Sequence, residues 1–230
     1  MDDETTSTFD ARPPAFRAAW WLRSGHAQTI GGKLLRPRLE VPLRRERIDT
    51  PDGDFLDLDF AEGPEGGEPA ARGRGEPSAG GASEPAAGGA GGAHRPLVVV
   101  LHGLEGSARR TYMRLTYDAL RRRGMDAVGL NFRGCSGDPN RVARFYHSGE
   151  TGDLRLVVAR LRERWPARAL GAVGYSLGGN VLLDYLAEEG AGAPLRAAVA
   201  VSVPFDLAAG SRAIGRGVMG RLYTAYFLRG

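Results

Sequence analysis

The sequence predicts an α/β protein with a mostly parallel sheet covered by helices on both faces. From residue 96 onward, short continuous apolar runs alternate with segments whose apolar residues recur at helical spacing. The first run, PLVVVLH (96–102), is typical of a strand buried on both faces. Such alternation forms βαβ units, and 230 residues are enough for one domain of this kind.

Two segments are predicted before the core. Residues 1–44 form an N-terminal arm, within which FRAAWWLRSGHAQTIGG (16–32) carries several large apolar groups. Those groups either pack on the domain, line an entrance for an apolar substrate, or make weak contact with a membrane surface. Residues 45–61 are predicted to form a β-hairpin that starts the sheet, because PDGD (51–54) has turn chemistry between two strand-like runs.

A disordered low-complexity insert is predicted at 62–95, where almost nothing apolar occurs beyond alanine. Such a segment cannot bury enough surface to offset the entropy lost on ordering. His94 belongs to this insert, and no role is expected for it.

The core is predicted to span 96–207, with the elements in alternating order. After the first strand, the expected strands lie at 125–132, 169–175 and 195–204, and the expected helices at 109–124, 152–165 and 176–190. Chemistry is expected at the carboxyl ends of the strands, where such sheets carry their sites.

Composition limits the function classes. The net charge of +4 comes mainly from arginines that are spread along the chain and mixed with acidic residues, so no nucleic-acid partner is expected. Cys135 is the single cysteine, which excludes an internal disulfide. The acidic start MDDETTSTFD is unlike a secretory signal, and no apolar run is as long as a membrane span, so a cytoplasmic protein is expected.

The segment GAVGYSLGGNVLLDYL (171–186) is predicted to hold a catalytic nucleophile. It contains a G-x-S-x-G pattern around Ser176, with a strand predicted before it and a helix after it. Gly174 and Gly178 would relieve crowding at the sharp turn between them. The N–H of Leu177 would lie at a helix N-terminus, which favours an anion, and it is predicted to be one oxyanion-hole donor.

The loop HGLEG (102–106) is predicted to supply the other donor, because a second oxyanion N–H should follow an earlier strand. Gly103 permits the tight bend, and the N–H of Leu104 is the predicted donor. His102 is expected to brace this loop by hydrogen bonds.

Several motifs together resemble the YheT-like branch of the α/β-hydrolases. They are WWLRSGHAQTI (20–30), LHGLEGS (101–107), NFRGCSGDPNR (131–141), FYHSGETGDL (145–154), GYSLGGN (174–180) and VSVPFDL (201–207). The resemblance implies an esterase or acylglycerol lipase that acts on a small-molecule acyl ester or lipid. It implies a Ser–Asp–His triad with Ser176 as nucleophile, and neither a metal nor an organic cofactor.

The sequence departs from this family after Ser176. The family's triad acid and histidine follow a helical cap, whereas residues 208–230 resemble only the start of that cap. We therefore expect a chain truncated at its C-terminus, with an incomplete sheet, no matching triad acid or base, and little activity. Asp206 and His147 are the candidate substitutes, although Asp206 is also suited to capping the next turn and His147 to a structural turn.

Two alternatives to ester hydrolysis stay open. One is a non-catalytic hydrolase-like binding protein or inactive fragment that keeps the pocket without the triad. The other is acyl transfer to an alcohol at the same site. The sequence makes no prediction about oligomeric state.

Overall fold

The structure is a computed structural model that describes residues 17–21, 23–25, 27, 28, 31, 35–61, 95–214, 220 and 225. It divides into two compact units, Met1–Arg38 and Leu39–Gly230. In the first unit, Ser24 begins a helical turn by accepting the N–H of Ala27 on its Oγ at 3.1 Å. His26, His94, nearly all of the predicted insert and most of 215–230 lie outside the described residues.

A β-hairpin forms one end of the sheet. Strands β1 (Arg44–Asp49) and β2 (Phe55–Ala61) pair antiparallel. Gly53 in the turn has φ +82°, a conformation that glycine adopts without strain. The other edge of β2 pairs antiparallel with strand β4 (Asp126–Leu130), which joins the hairpin to the remaining strands.

The remaining strands are parallel and confirm the predicted fold class. The sheet order is β1-β2-β4-β3-β5-β6, with β3 (Leu97–Leu101), β4 (Asp126–Leu130), β5 (Leu170–Tyr175) and β6 (Ala197–Val201). The helices are α1 (Thr111–Arg121), α2 (Gly152–Arg164), α3 (Leu177–Glu189) and α4 (Leu207–Ile214).

The core has two sides because alternate residues of a strand point to opposite faces of the sheet. Leu97, Val99 and Leu101 of β3 pack into a cluster with buried residues of α2 and α3. Val98 and Val100 pack on the other face with buried residues of α1. Both faces of β3 are therefore covered, which explains its uninterrupted apolar sequence.

The parallel strands bring three loops to one edge of the sheet. The loops that follow β3, β4 and β5 all leave the carboxyl ends of neighbouring strands. The candidate site is built from these loops, as expected for an open α/β sheet.

Candidate active site

Ser176 lies in the sharp turn between β5 and α3. Its backbone has φ +51° and ψ −117°, in a region that residues with side chains rarely adopt. The Ser176 N–H donates to the carbonyl of Val201 at 2.8 Å, and its own carbonyl accepts the N–H of Gly179 at 2.8 Å. The strained serine is thus fixed to both β6 and the first turn of α3.

The glycines around Ser176 are required by close backbone approach. A Cβ on Gly174 would lie 2.4 Å from the carbonyl oxygen of Gly178. A Cβ on Gly178 would lie 2.5 Å from the carbonyl oxygen of His102. The turn therefore packs against itself and against the end of β3 at distances that only glycine allows.

The loop after β3 passes directly beside the serine. A Cβ built on Gly103 would lie 3.3 Å from the Cβ of Ser176 and 3.9 Å from its Oγ. Among the described residues, the N–H groups of Leu104 and Leu177 have no hydrogen-bond partner. Leu177 is the first residue of α3, where free N–H groups and the helix dipole favour a negative charge.

His102 is fully buried behind this loop, and both of its ring nitrogens are engaged. The N–H of Phe132 donates to Nε2 at 3.2 Å, so Nδ1 carries the proton and donates to the carbonyl of Gly103 at 2.8 Å. Burial lowers the pKa of His102 to about 4 and outweighs the Gly103 hydrogen bond. His102 therefore stays neutral near pH 7 and braces the loop.

The two candidate substitutes for the triad have other contacts in the structure. His147 is exposed, and its Nδ1 accepts the N–H of Gly149 at 3.2 Å within a turn. Asp206 is exposed just before α4, where its Oδ1 accepts the N–H of Ala209 at 2.7 Å. That contact is an N-cap, which satisfies a helix N–H.

The loop after β4 is anchored by a buried arginine to which the sequence analysis assigned no role. Arg133 has a side chain only 1% exposed and forms ion pairs with Asp153 at 2.7 Å and Asp54 at 2.8 Å. The same guanidinium lies 3.0 Å from Asp52. Its carboxylate partners raise the pKa of Arg133, which keeps it charged. These partners are far apart in the sequence, so no local pattern indicates the cluster.

Tyr112 and Tyr146 were also not assigned to the site, yet both contact the loop after β3. The Tyr112 hydroxyl accepts the N–H of Gly103 at 3.0 Å, and that of Tyr146 accepts the N–H of Glu105 at 3.1 Å. Tyr112 lies in the helix predicted at 109–124, and no spacing rule indicates that its hydroxyl reaches a loop.

Two further features are absent from the described residues. Within those ranges, no three or more His, Cys, Asp or Glu side chains are grouped to hold a metal ion. No helix among the same residues has the length and apolar character needed to cross a membrane.

The chain is similar to a family model and to several known proteins. A family model described as the alpha/beta hydrolase fold matches residues 96–226. YheT of Escherichia coli, which is named for an inferred esterase activity, is 39% identical over 203 residues. A monoacylglycerol lipase of Saccharomyces cerevisiae is 35% identical over 114 residues.

These relatives are longer than this chain. The match to YheT covers 88% of this chain and 52% of YheT, and the match to the yeast lipase covers 49% and 25% respectively. The chain thus spans about half the length of YheT.

Solved structures show the same fold. The esterase Pf2001 of Pyrococcus furiosus aligns with a TM-score of 0.55 at 19% identity, covering 80% of this chain and 61% of that one. XC6422 of Xanthomonas campestris, described as an α/β serine hydrolase without a lid, aligns with a TM-score of 0.51 at 22% identity. That alignment covers 74% of this chain and 66% of XC6422.

Proposed function

Because the chain belongs to the α/β-hydrolase family, we propose that it is a carboxylic-ester hydrolase whose nucleophile is Ser176. The observation that carries the proposal is the backbone of Ser176, held at φ +51° between β5 and α3 beside the loop after β3. The names of its relatives, an esterase and a monoacylglycerol lipase, favour an acyl ester or lipid as substrate.

In the proposed reaction, the Oγ of Ser176 attacks the acyl carbonyl carbon. The carbonyl oxygen becomes an oxyanion, which accepts hydrogen bonds from the N–H groups of Leu177 and Leu104. Collapse of this intermediate expels the alcohol and leaves an acyl group on Ser176. Attack by water then releases the acid and restores the serine.

Both steps need a base to take a proton, first from Ser176 and then from water. All four histidines of the sequence precede Ser176. His102 has both ring nitrogens engaged, and the described contact of the His147 ring is within its own turn. We infer that the triad histidine and its acid partner are not among the residues that the structure describes.

The alternative is a non-catalytic hydrolase-like binding protein or an inactive fragment. One observation favours it: neither described histidine, His102 or His147, hydrogen-bonds to the hydroxyl of Ser176. The two proposals differ in the expected reactivity of Ser176. In a binding protein or inactive fragment, its hydroxyl would be no more reactive than that of other serines.

A fluorophosphonate probe tests the proposal, because it forms a covalent adduct with an activated serine. We expect labelling at Ser176, slower by about 10³-fold or more than in a hydrolase with its full triad, since the oxyanion hole supplies the remaining catalysis. Ser176→Ala should abolish labelling.

Ser202→Ala is the matched control for this experiment. Like Ser176, Ser202 has a positive φ, here +54°, and it is an exposed serine directly after the neighbouring strand β6. Its replacement should leave labelling unchanged. Labelling that persists in Ser176→Ala would exclude Ser176 as nucleophile, and labelling at ordinary hydrolase speed would contradict the absence of the base.

A further inference from the structure

Two tyrosine hydroxyls bind the N–H groups on either side of the predicted oxyanion donor. Tyr112 Oη accepts the N–H of Gly103 at 3.0 Å, and Tyr146 Oη accepts the N–H of Glu105 at 3.1 Å. The N–H of Leu104, between them, has no acceptor among the described residues. We propose that Tyr112 and Tyr146 are positioning residues that hold the loop so that Leu104 N–H is presented to the oxyanion, an inference that rests on the proposed function.

The loop needs such support because its backbone is unusual. Glu105 has φ +51°, a left-handed conformation that costs about 1 kcal/mol or more in a residue with a side chain. The Gly106 N–H donates to the carbonyl of Gly103 at 3.0 Å, and Arg110 donates to the carbonyl of Glu105 at 2.8 Å. Because Tyr146 accepts the N–H of Glu105, both the N–H and the carbonyl of this residue are hydrogen-bonded.

Tyr112 couples this loop to the nucleophile turn. Its ring lies edge-on to that of Tyr175 with centroids 5.1 Å apart, and Tyr175 immediately precedes Ser176. Tyr175 is fixed in turn by a 2.6 Å hydrogen bond between its hydroxyl and Thr116 Oγ1 on α1. One side chain therefore contacts both halves of the site.

Tyr146 is more deeply buried than Tyr112. It is 2% exposed, and its ring stacks on that of Phe132 with centroids 5.2 Å apart and an interplanar angle of 5°. A phenol oxygen accepts hydrogen bonds through its lone pairs, so this deeply packed hydroxyl fixes the N–H of Glu105.

Removing one hydroxyl should affect the transition state more than the binding of a ligand. The N–H of Gly103 or Glu105 would lose its acceptor, and the loop would change conformation to form another hydrogen bond. We expect this change to turn the N–H of Leu104 away from the oxyanion. Loss of a whole oxyanion donor costs about 10²–10³ in rate, which sets the upper limit. Misalignment of that donor should cost less, about tenfold.

The test measures labelling of Ser176 by the fluorophosphonate in the full 230-residue chain as a function of probe concentration. Tyr112→Phe and Tyr146→Phe should each lower the maximal labelling rate about tenfold, with the half-saturating probe concentration changed less than about twofold. Tyr185→Phe is the control, because Tyr185 is a buried tyrosine of α3 packed in the core. It should change neither quantity.

The outcomes separate this inference from the proposed function. Unchanged maximal rates in both folded variants would overturn the positioning role, and so would a rise in the half-saturating concentration alone. Persistent labelling in Ser176→Ala would instead overturn the proposed function itself.

Amide hydrogen exchange in the unmodified chain decides the question even where a variant does not fold. The N–H of Leu104 should exchange faster than those of Gly103 and Glu105, because only the neighbours have acceptors. Slow exchange at Leu104 with fast exchange at its neighbours would overturn the inference.

Discussion

Replacing Gly174 by alanine places a methyl group where the nucleophile turn has no room. The new Cβ would lie 2.4 Å from the oxygen and 2.7 Å from the carbon of the Gly178 carbonyl, and 2.8 Å from the Cα of Gly179. All three atoms are backbone, so no side chain can rotate away, and β5 and α3 must separate by several tenths of an ångström.

The matched control is Gly171→Ala in the same strand. There the nearest atom to the new Cβ is the carbonyl oxygen of Ala197 at 3.4 Å, an ordinary contact. Overpacking costs about 1–3 kcal/mol, and we expect Gly174→Ala near the upper end of that range. Gly171→Ala should stay within about 1 kcal/mol of the original protein, because alanine also lowers the entropy cost of ordering the strand.

Urea unfolding measures the difference. With a slope of about 2 kcal/mol per molar urea, a loss of about 3 kcal/mol lowers the midpoint by about 1.5 M. Labelling of Ser176 should also fall in Gly174→Ala and be unchanged in Gly171→Ala. Equal midpoints for the two variants would refute the reasoning that the turn is closed by backbone contact.

Three further predictions concern groups around the site. Arg133→Met should lower the free energy of unfolding by about 3–5 kcal/mol, because it leaves buried carboxylates without their cation. The control Arg160→Met removes an exposed ion pair and should lower it by less than about 0.5 kcal/mol. Equal losses in urea unfolding would contradict the role of burial. The imidazole of His102 should titrate near pH 4 by NMR, because burial lowers its pKa to about 4. Since the unfolded chain takes up this proton first, stability should fall by about 3 kcal/mol between pH 6.5 and 4; a ring pKa near 6.5 would contradict this. Burial alone would raise the pKa of Asp59, but hydrogen bonds from Arg45, Asn131 and Arg109 lower it overall. The stability from Asp59 is therefore present above about pH 4 and lost as the pH falls further, and urea midpoints for Asp59→Asn should drop less steeply there than for the original protein.

The fold was predictable because its main signal is local. Strand β3 is a continuous apolar run since both of its faces are covered, and α1, α2 and α3 each carry apolar residues at helical spacing. Predicted strand and helix ends differ from the observed ends by a few residues, since ends depend on hydrogen bonds that composition does not encode. The position of Ser176 was predictable for the same reason, because its glycines, its strand and its helix are contiguous.

The supports of the site were not predictable, because they join distant segments. Arg133 reaches Asp54 across 79 positions, and Tyr146 reaches Glu105 across 41. The sequence predicted Tyr112 only as part of a helix, whereas in the structure its hydroxyl contacts the loop after β3. Hydrogen bonds from side chain to backbone leave no periodic trace in a sequence.

The most direct test of the central claim is to look for the acyl-enzyme itself. The chain is incubated with an activated ester such as p-nitrophenyl butyrate, and the acylated peptide is identified by mass spectrometry. We predict one butyryl group on Ser176, which accumulates because its removal by water needs the same base as its formation. Butyryl groups on other side chains, or none on Ser176 while p-nitrophenol is released, would contradict the assignment of Ser176 as nucleophile.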